Sequence, residues 1–419
     1  MTTPPFGFSN SEGDDSADEP SADPLAAFGG MPDLGAMLQQ LGNLMSGESG
    51  PVNWGVARTA AMAIIGADTG TTGTDTSEVS DAIRLADVWL NPVTALPSGV
   101  ASTEAWSRRR WLEATRGAWT ELVEPVAARV SGAMADALPA EMAAMAGPLM
   151  GMMSQIGGLI FGGQVGQALG TLATEVVSSS DIGLPLGPDG VAALLPESLR
   201  TLGAGLDLPL DEVRLFVALR EAAHHRLFGH VPWLRGHLLA AVRAYAEGIV
   251  VDTSRFEELA QGIDPSDTEA LQQAIGDGLF EPTSSPAQQA ALARLETALA
   301  LVEGWVDTVT AAAGATSLPS FAALQETMRR RRATGGPAER TFASLVGLEL
   351  RPRRLREAAT LWQTLGERRG IDARDAVWSH PDLLPNADDL DDPAGWVERD
   401  AAKDTLDLSE LEPGTDETT

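Results

Sequence analysis

Apolar residues recur at three- and four-residue spacing along most of this chain, the mark of helices that bury one face. The pattern predicts helices over 54–67, 76–90 and from 102 to about 138. Trp106, Trp111 and Trp119 give the third a heavy aromatic face that reads as core. A helical block follows over 210–227, broken at Gly229. The next starts at Pro232, which suits a first helical position, and runs to about Gly248. Further helices are expected over 254–260, 268–276, 286–313, 320–332, 337–345 and 352–370, and a short one over 34–45. Residues 182–186, in Asp-Ile-Gly-Leu-Pro-Leu-Gly, read as extended chain, so any sheet is small. The expected fold is mainly α.

One segment resists this reading. Residues 142–174 carry no charge, and Gly158, Gly162, Gly166 and Gly170 form a ladder at four-residue spacing. Such ladders let helices approach closely in membranes. Gln155, Gln164 and Gln167, and flanks made of Glu141 and Glu175 rather than cations, point instead to a buried helix packed closely by another backbone. No membrane association is expected.

Charge changes the picture at the ends. The net charge is −30 over 419 residues. Residues 1–24 hold six carboxylates without a lysine or arginine, and from 388 onward twelve carboxylates face only Arg399 and Lys403. Segments so poor in large apolar residues cannot offset their chain entropy by burial. The domain reading is therefore a mostly disordered segment over 1–49, a helical domain over 50–395 with a helical sub-module over 254–345, and a disordered acidic tail over 396–419. The field repels nucleic acid, and no nucleic-acid partner is expected. The basic run Arg329–Arg332 lacks interleaved aromatics and reads as intramolecular pairing. Cysteine is absent, so thiolate metal sites and cysteine nucleophiles are excluded. With no apolar leader after Met1, a cytoplasmic location is expected.

Four of the five histidines, His224, His225, His230 and His237, fall within fourteen residues; His380 lies far downstream. Their context is Arg220-Glu221-Ala222-Ala223-His224-His225-Arg226-Leu227-Phe228-Gly229-His230-Val231-Pro232-Trp233-Leu234. These residues resemble the zinc-binding helix of the bacterial zincin-like hydrolase family, where Glu-x-x-His is followed by an aromatic residue, Val-Pro-Trp-Leu and a second helix. Pro-Pro-Phe-Gly-Phe at 4–8, Gly50-Pro51-Val52-Asn53-Trp54, the run from Leu345 to Ala358 and Ser379-His380-Pro381-Asp382-Leu383-Leu384-Pro385 resemble it too, in the same order. The likeness spans about 50 to 395. It implies a zinc-dependent hydrolase or metalloprotease, with relatives linked to deazaflavin-coenzyme biosynthesis.

The full zincin motif is His-Glu-x-x-His: two imidazoles on one helical face hold zinc, and the glutamate activates the bound water. By this resemblance Glu221 is the general base and His224 a metal ligand, while Arg220 stands where the first histidine belongs. Glu247, on the following helix, is the best-placed carboxylate for a further ligand. A guanidinium stays protonated and cannot coordinate zinc. Two readings stay open. Either His225, His230 or His237 substitutes in a distorted site, or Arg220 takes the cation's place and pairs with Glu221 or Glu247. The first expects an enzyme acting on a peptide or protein; the second expects an inactive descendant that binds a peptide or protein partner. An ordinary surface Arg–Glu pair is the plain alternative. His225 points about 100° away from His224 around the helix, so both do not face one ion. His230 reads as a loop residue, His237 as half-buried in a helix, and His380 as a turn cap.

Overall fold

The computed structural model describes residues 50–136, 147–248, 285–333 and 354–404. The expected helices over 34–45, 254–260, 268–276 and 337–345, the segment 1–49 and the end of the chain past residue 404 lie outside the described residues. All described residues fall within one compact unit, Glu48–Thr419.

The architecture is mainly α. Helix α1 (Trp54–Ile65) starts where the Asn53 side chain accepts from the Val56 amide. Helix α2 (Gly73–Leu90) starts at a reciprocal Thr72–Asp75 capping box. These contacts satisfy amides that have no partner inside the first helical turn. The chain then forms β1 (Ser102–Ala105), α3 (Arg108–Asp136), α4 (Gly147–Glu175), β2 (Val191–Leu194), α5 (Pro196–Leu206), α6 (Leu210–His230) and α7 (Pro232–Glu247). After the gap come α8 (Pro286–Gly314), α9 (Phe321–Ala333), α10 (Leu355–Ala376), α11 (Ala387–Asp391) and α12 (Pro393–Asp404).

Helix α6 is the axis of the core. It packs against α2, α5, α8 and β2, and from Phe216 to His224 every residue is buried. A helix covered all round is a central one. Arg226, on the same helix, is 1% exposed yet fully bonded: it donates to Asp87, Asn91 and the Leu96 carbonyl, tying the end of α2 and the following loop to α6. Helix α8 is buried continuously from Thr297 to Asp307 and packs on α6, α7 and α10.

The uncharged segment forms α4, and its glycine ladder is a packing surface. A Cβ added at Gly162 would lie 2.5 Å from the Asn53 carbonyl oxygen, and one at Gly166 only 2.2 Å from that of Ala57. Helix α1 lies directly on the ladder, as the four-residue spacing requires. Among the described residues no helix is long and apolar enough to cross a membrane.

Four elements differ from the periodicity. Residues 102–105 form a strand rather than a helical turn, because they pair in parallel with β2, Ser102 opposite Val191 and Ala105 opposite Leu194. The extended segment is β2 at 191–194 and not 182–186, which folds as turns around Gly183. Helix α5, which starts at Pro196, has no counterpart in the expected set. Helix α12 carries the helical chain past residue 395, with Trp396 and Val397 buried.

Candidate functional site

The residues singled out by the motif lie on α6, and the helix divides them. Arg220 and His224, four apart, face α8. Glu221 and His225, also four apart, face the segment around Ser179 and β2.

On the first face Arg220, 5% exposed, donates from Nη2 to Glu303 Oε2 at 2.5 Å. Its Nη1 lies 3.9 Å from Asp307 Oδ1. His224, 1% exposed, places Nε2 at 2.9 Å from Glu303 Oε1 and Nδ1 at 2.8 Å from the Arg220 carbonyl. A carbonyl and a carboxylate only accept, so each ring nitrogen facing them donates. Asp307 also takes a two-nitrogen contact from Arg329, at 3.1 and 2.5 Å, and a Gln325 amide at 3.2 Å. The result is a buried alternation of charge: His224, Glu303, Arg220, Asp307, Arg329.

On the second face Glu221 is wholly buried and surrounded by donors. Ser179 Oγ donates to Oε1, and the Ala193 amide reaches the same oxygen at 3.1 Å. Ser180 gives Oε2 its hydroxyl at 2.5 Å and its amide at 3.2 Å. His225 Nε2 is 3.3 Å from Oε1. Burial alone would raise the pKa of this carboxyl. The hydrogen bond and charge of His225, with the two serine hydroxyls, outweigh burial and bring it down to about 2. Beside this face opens a cleft of about 280 Å³, lined by Ser179, Ser180, His225, Phe228, Arg235 and the loop 185–190.

Glu247 does not join either face. It is the last residue of α7 and is exposed. The carboxylate that meets Arg220 and His224 is Glu303, on α8. The guanidinium does stand between two carboxylates, but they are Glu303 and Asp307 rather than Glu221 and Glu247. Glu303 and Asp307 had one visible signal: two acids four apart inside Leu301-Val302-Glu303-Gly304-Trp305-Val306-Asp307, a stretch otherwise fit for burial. The other histidines stand apart. His230 is exposed and bonds the Ser98 carbonyl at 3.1 Å. His237 is half-buried, edge-on to Trp233. His380 caps the short 3-10 turn Pro381–Leu383. Of the basic run, Arg329, Arg330 and Arg331 pair with Asp307, Glu326 and Asp181.

Zinc in a protein takes at least three side-chain donors, each presenting a lone pair. Here His224 and Glu303 are the two that meet. The third position is filled by a guanidinium, which has no lone pair to give. Among the described residues no three His, Asp or Glu side chains converge as a ligand set. Glu221, with both oxygens taken up by five donors, has little capacity left to polarise a water. The residues present do not fit the metal.

A family model described as zincin-like metallopeptidase matches residues 52–397. No curated protein matches. Among solved structures the chain is similar to one from Chloroflexus aurantiacus, described as a "putative hydrolase with a novel fold". The two are 22% identical with a TM-score of 0.57, over 84% of this chain and 99% of that one. At that identity the likeness shows a shared fold.

Proposed function

The chain belongs to the zincin-like metallopeptidase family, and on that premise we propose that Arg220 replaces the metal and that the protein binds a peptide or protein partner without hydrolysing it. The family description implies zinc-dependent peptide hydrolysis for its members in general. What sets this chain apart is Arg220-Glu221-Ala222-Ala223-His224, with a guanidinium where the motif calls for an imidazole. The observation that carries the reading is the closed Arg220–Glu303–His224 contact. A fixed cation bonded to Glu303 supplies the positive charge that a zinc ion would bring, and it does so without an open coordination position for water. The neighbouring cleft at Ser179, Ser180 and His225 is the opening from which a peptide would meet the Glu221 face.

Metal content measured by plasma mass spectrometry on tag-free protein, beside an Arg220→His variant, tests this. The parent is expected to carry no stoichiometric zinc. The variant, offering an imidazole together with His224 and Glu303, is expected to gain it. Stoichiometric zinc in the parent would overturn the replacement, and so would a variant that stays folded yet takes up none.

A further inference from the structure

A cavity of about 550 Å³ lies away from the motif, between α8, α9 and α10. Its wall includes Arg329, Arg356 and Arg374, with Ala311, Ala312 and Ile371 giving an apolar side. The three arginines differ in what they are bonded to. Arg329 gives Nε and Nη2 to Asp307 and keeps Nη1 without a hydrogen-bond partner. Arg356 is 73% exposed, and its one ionic neighbour, Glu326, is 3.9 Å away. Arg374 is the decisive one. Its side chain is 3% exposed, with Nε and Nη2 held by Asp375 and the Val93 carbonyl. Among the described residues its Nη1 has no hydrogen-bond partner. That atom sits 3.9 Å from where a Cβ on Gly366 would be, and Gly366 also lines the cavity.

A guanidinium N–H on a cavity wall without a protein acceptor is free to donate to a group that enters the cavity. The three guanidinium groups share the wall with two carboxylates, Asp307 and Glu367; the excess of cationic N–H donors, in a chain of net charge −30, marks a local preference for anions that the overall field opposes. Guanidinium forks match the oxygens of phosphate and carboxylate, and the cavity lies within the roughly 300–1,000 Å³ of small-molecule sites. We infer that this cavity binds a phosphate-bearing small molecule, its phosphate oxygens on Arg374, Arg329 and Arg356 and its apolar part against Ala311, Ala312 and Ile371. Three cationic donors favour the double charge of a phosphate over a single carboxylate. The inference stands independently of the metal replacement, although Asp307, shared by Arg329 and Arg220, joins the two regions.

The test is calorimetric titration of the full chain with sodium pyrophosphate, with citrate and with chloride at matched ionic strength. Saturable one-to-one binding of pyrophosphate is expected, about tenfold weaker in Arg356→Gln, the loss of one charge-assisted contact. Arg356 is exposed and hardly paired, so that variant keeps its fold. Arg374→Lys keeps a cation beside Asp375 but lacks the spare fork nitrogen, and is expected to bind more weakly still. Absence of pyrophosphate binding to the folded parent would overturn the inference. So would binding undiminished in both variants, or tight citrate binding without pyrophosphate binding.

Discussion

The two faces of α6 meet buried carboxylates and neutralise them by different means. Glu303 and Asp307 are met by formal charge, the Arg220 and Arg329 guanidinium groups, with the His224 ring also on Glu303. Glu221 is met by His225, at the rim of a cleft, together with dipoles: two hydroxyls and two backbone amides. The difference teaches where the motif's chemistry has gone. A metal site needs the ligands and the general base to converge on one open point. Here the Arg220–His224 face is closed by a cation of the protein's own, and Glu221 is closed by a ring of donors.

The hardest test of the charged face is Arg220→Ala. It leaves Glu303 with a buried charge that has lost its closest cation. The expected loss is about 3–5 kcal/mol of unfolding free energy, read by urea titration. Adding Glu303→Gln should recover part of that loss, since the stranded charge goes with it. A cost under about 1 kcal/mol would mean that the guanidinium does not hold this face, and the contrast between the faces would fail.

The dipolar face has its own signature in acid. The folded-state value of Glu221 is depressed from 4.5 to about 2. Its contribution is therefore present above pH 4.5 and is lost as pH falls through about 2. That shift corresponds to about 3 kcal/mol. Unfolding of the parent and of Glu221→Gln, followed between pH 5 and 2, should show the steeper loss in the parent. Parallel curves would mean that His225 and the ring of hydroxyl and amide donors do not hold Glu221 ionised.

The smallest effect sharpens the comparison by exclusion. Glu247→Ala, at an exposed helix end, is expected to change stability by less than about 0.5 kcal/mol. It should also leave the zinc content of Arg220→His unchanged. A loss of zinc in the combined variant would return Glu247 to the site and displace Glu303.

The choice between those two carboxylates shows how far the sequence could be read. Glu247 was attractive because it lies on the helix after the motif, and nearness in sequence stood in for nearness in space. Glu303 is 79 residues from His224, and nothing in local spacing links them. What the sequence did carry was its unlikeliness: an acid among Leu301, Val302, Trp305 and Val306 has to have a buried partner. The partner's identity is a matter of how α6 and α8 cross. The sheet follows the same rule. Ser102–Ala105 reads as the start of a helix until Val191–Leu194 arrives from across the fold to pair with it.

The sequence by itself determined the helical class, the place of α6, α7 and α8 in the chain, the packing role of the glycine ladder, and the separation of His224 from His225 around the helix. All of these follow from periodicity and from the absence of side chains, which are local properties. Only the tertiary structure decided that Arg220 meets Glu303 and Asp307, that Ser179, Ser180 and Ala193 encircle Glu221, and that Arg329, Arg356 and Arg374 share one cavity. Each of those depends on segments distant in the chain being brought within a hydrogen bond's length. Spacing along a helix says which side chains share a face, but what that face meets is fixed by the packing of the whole core.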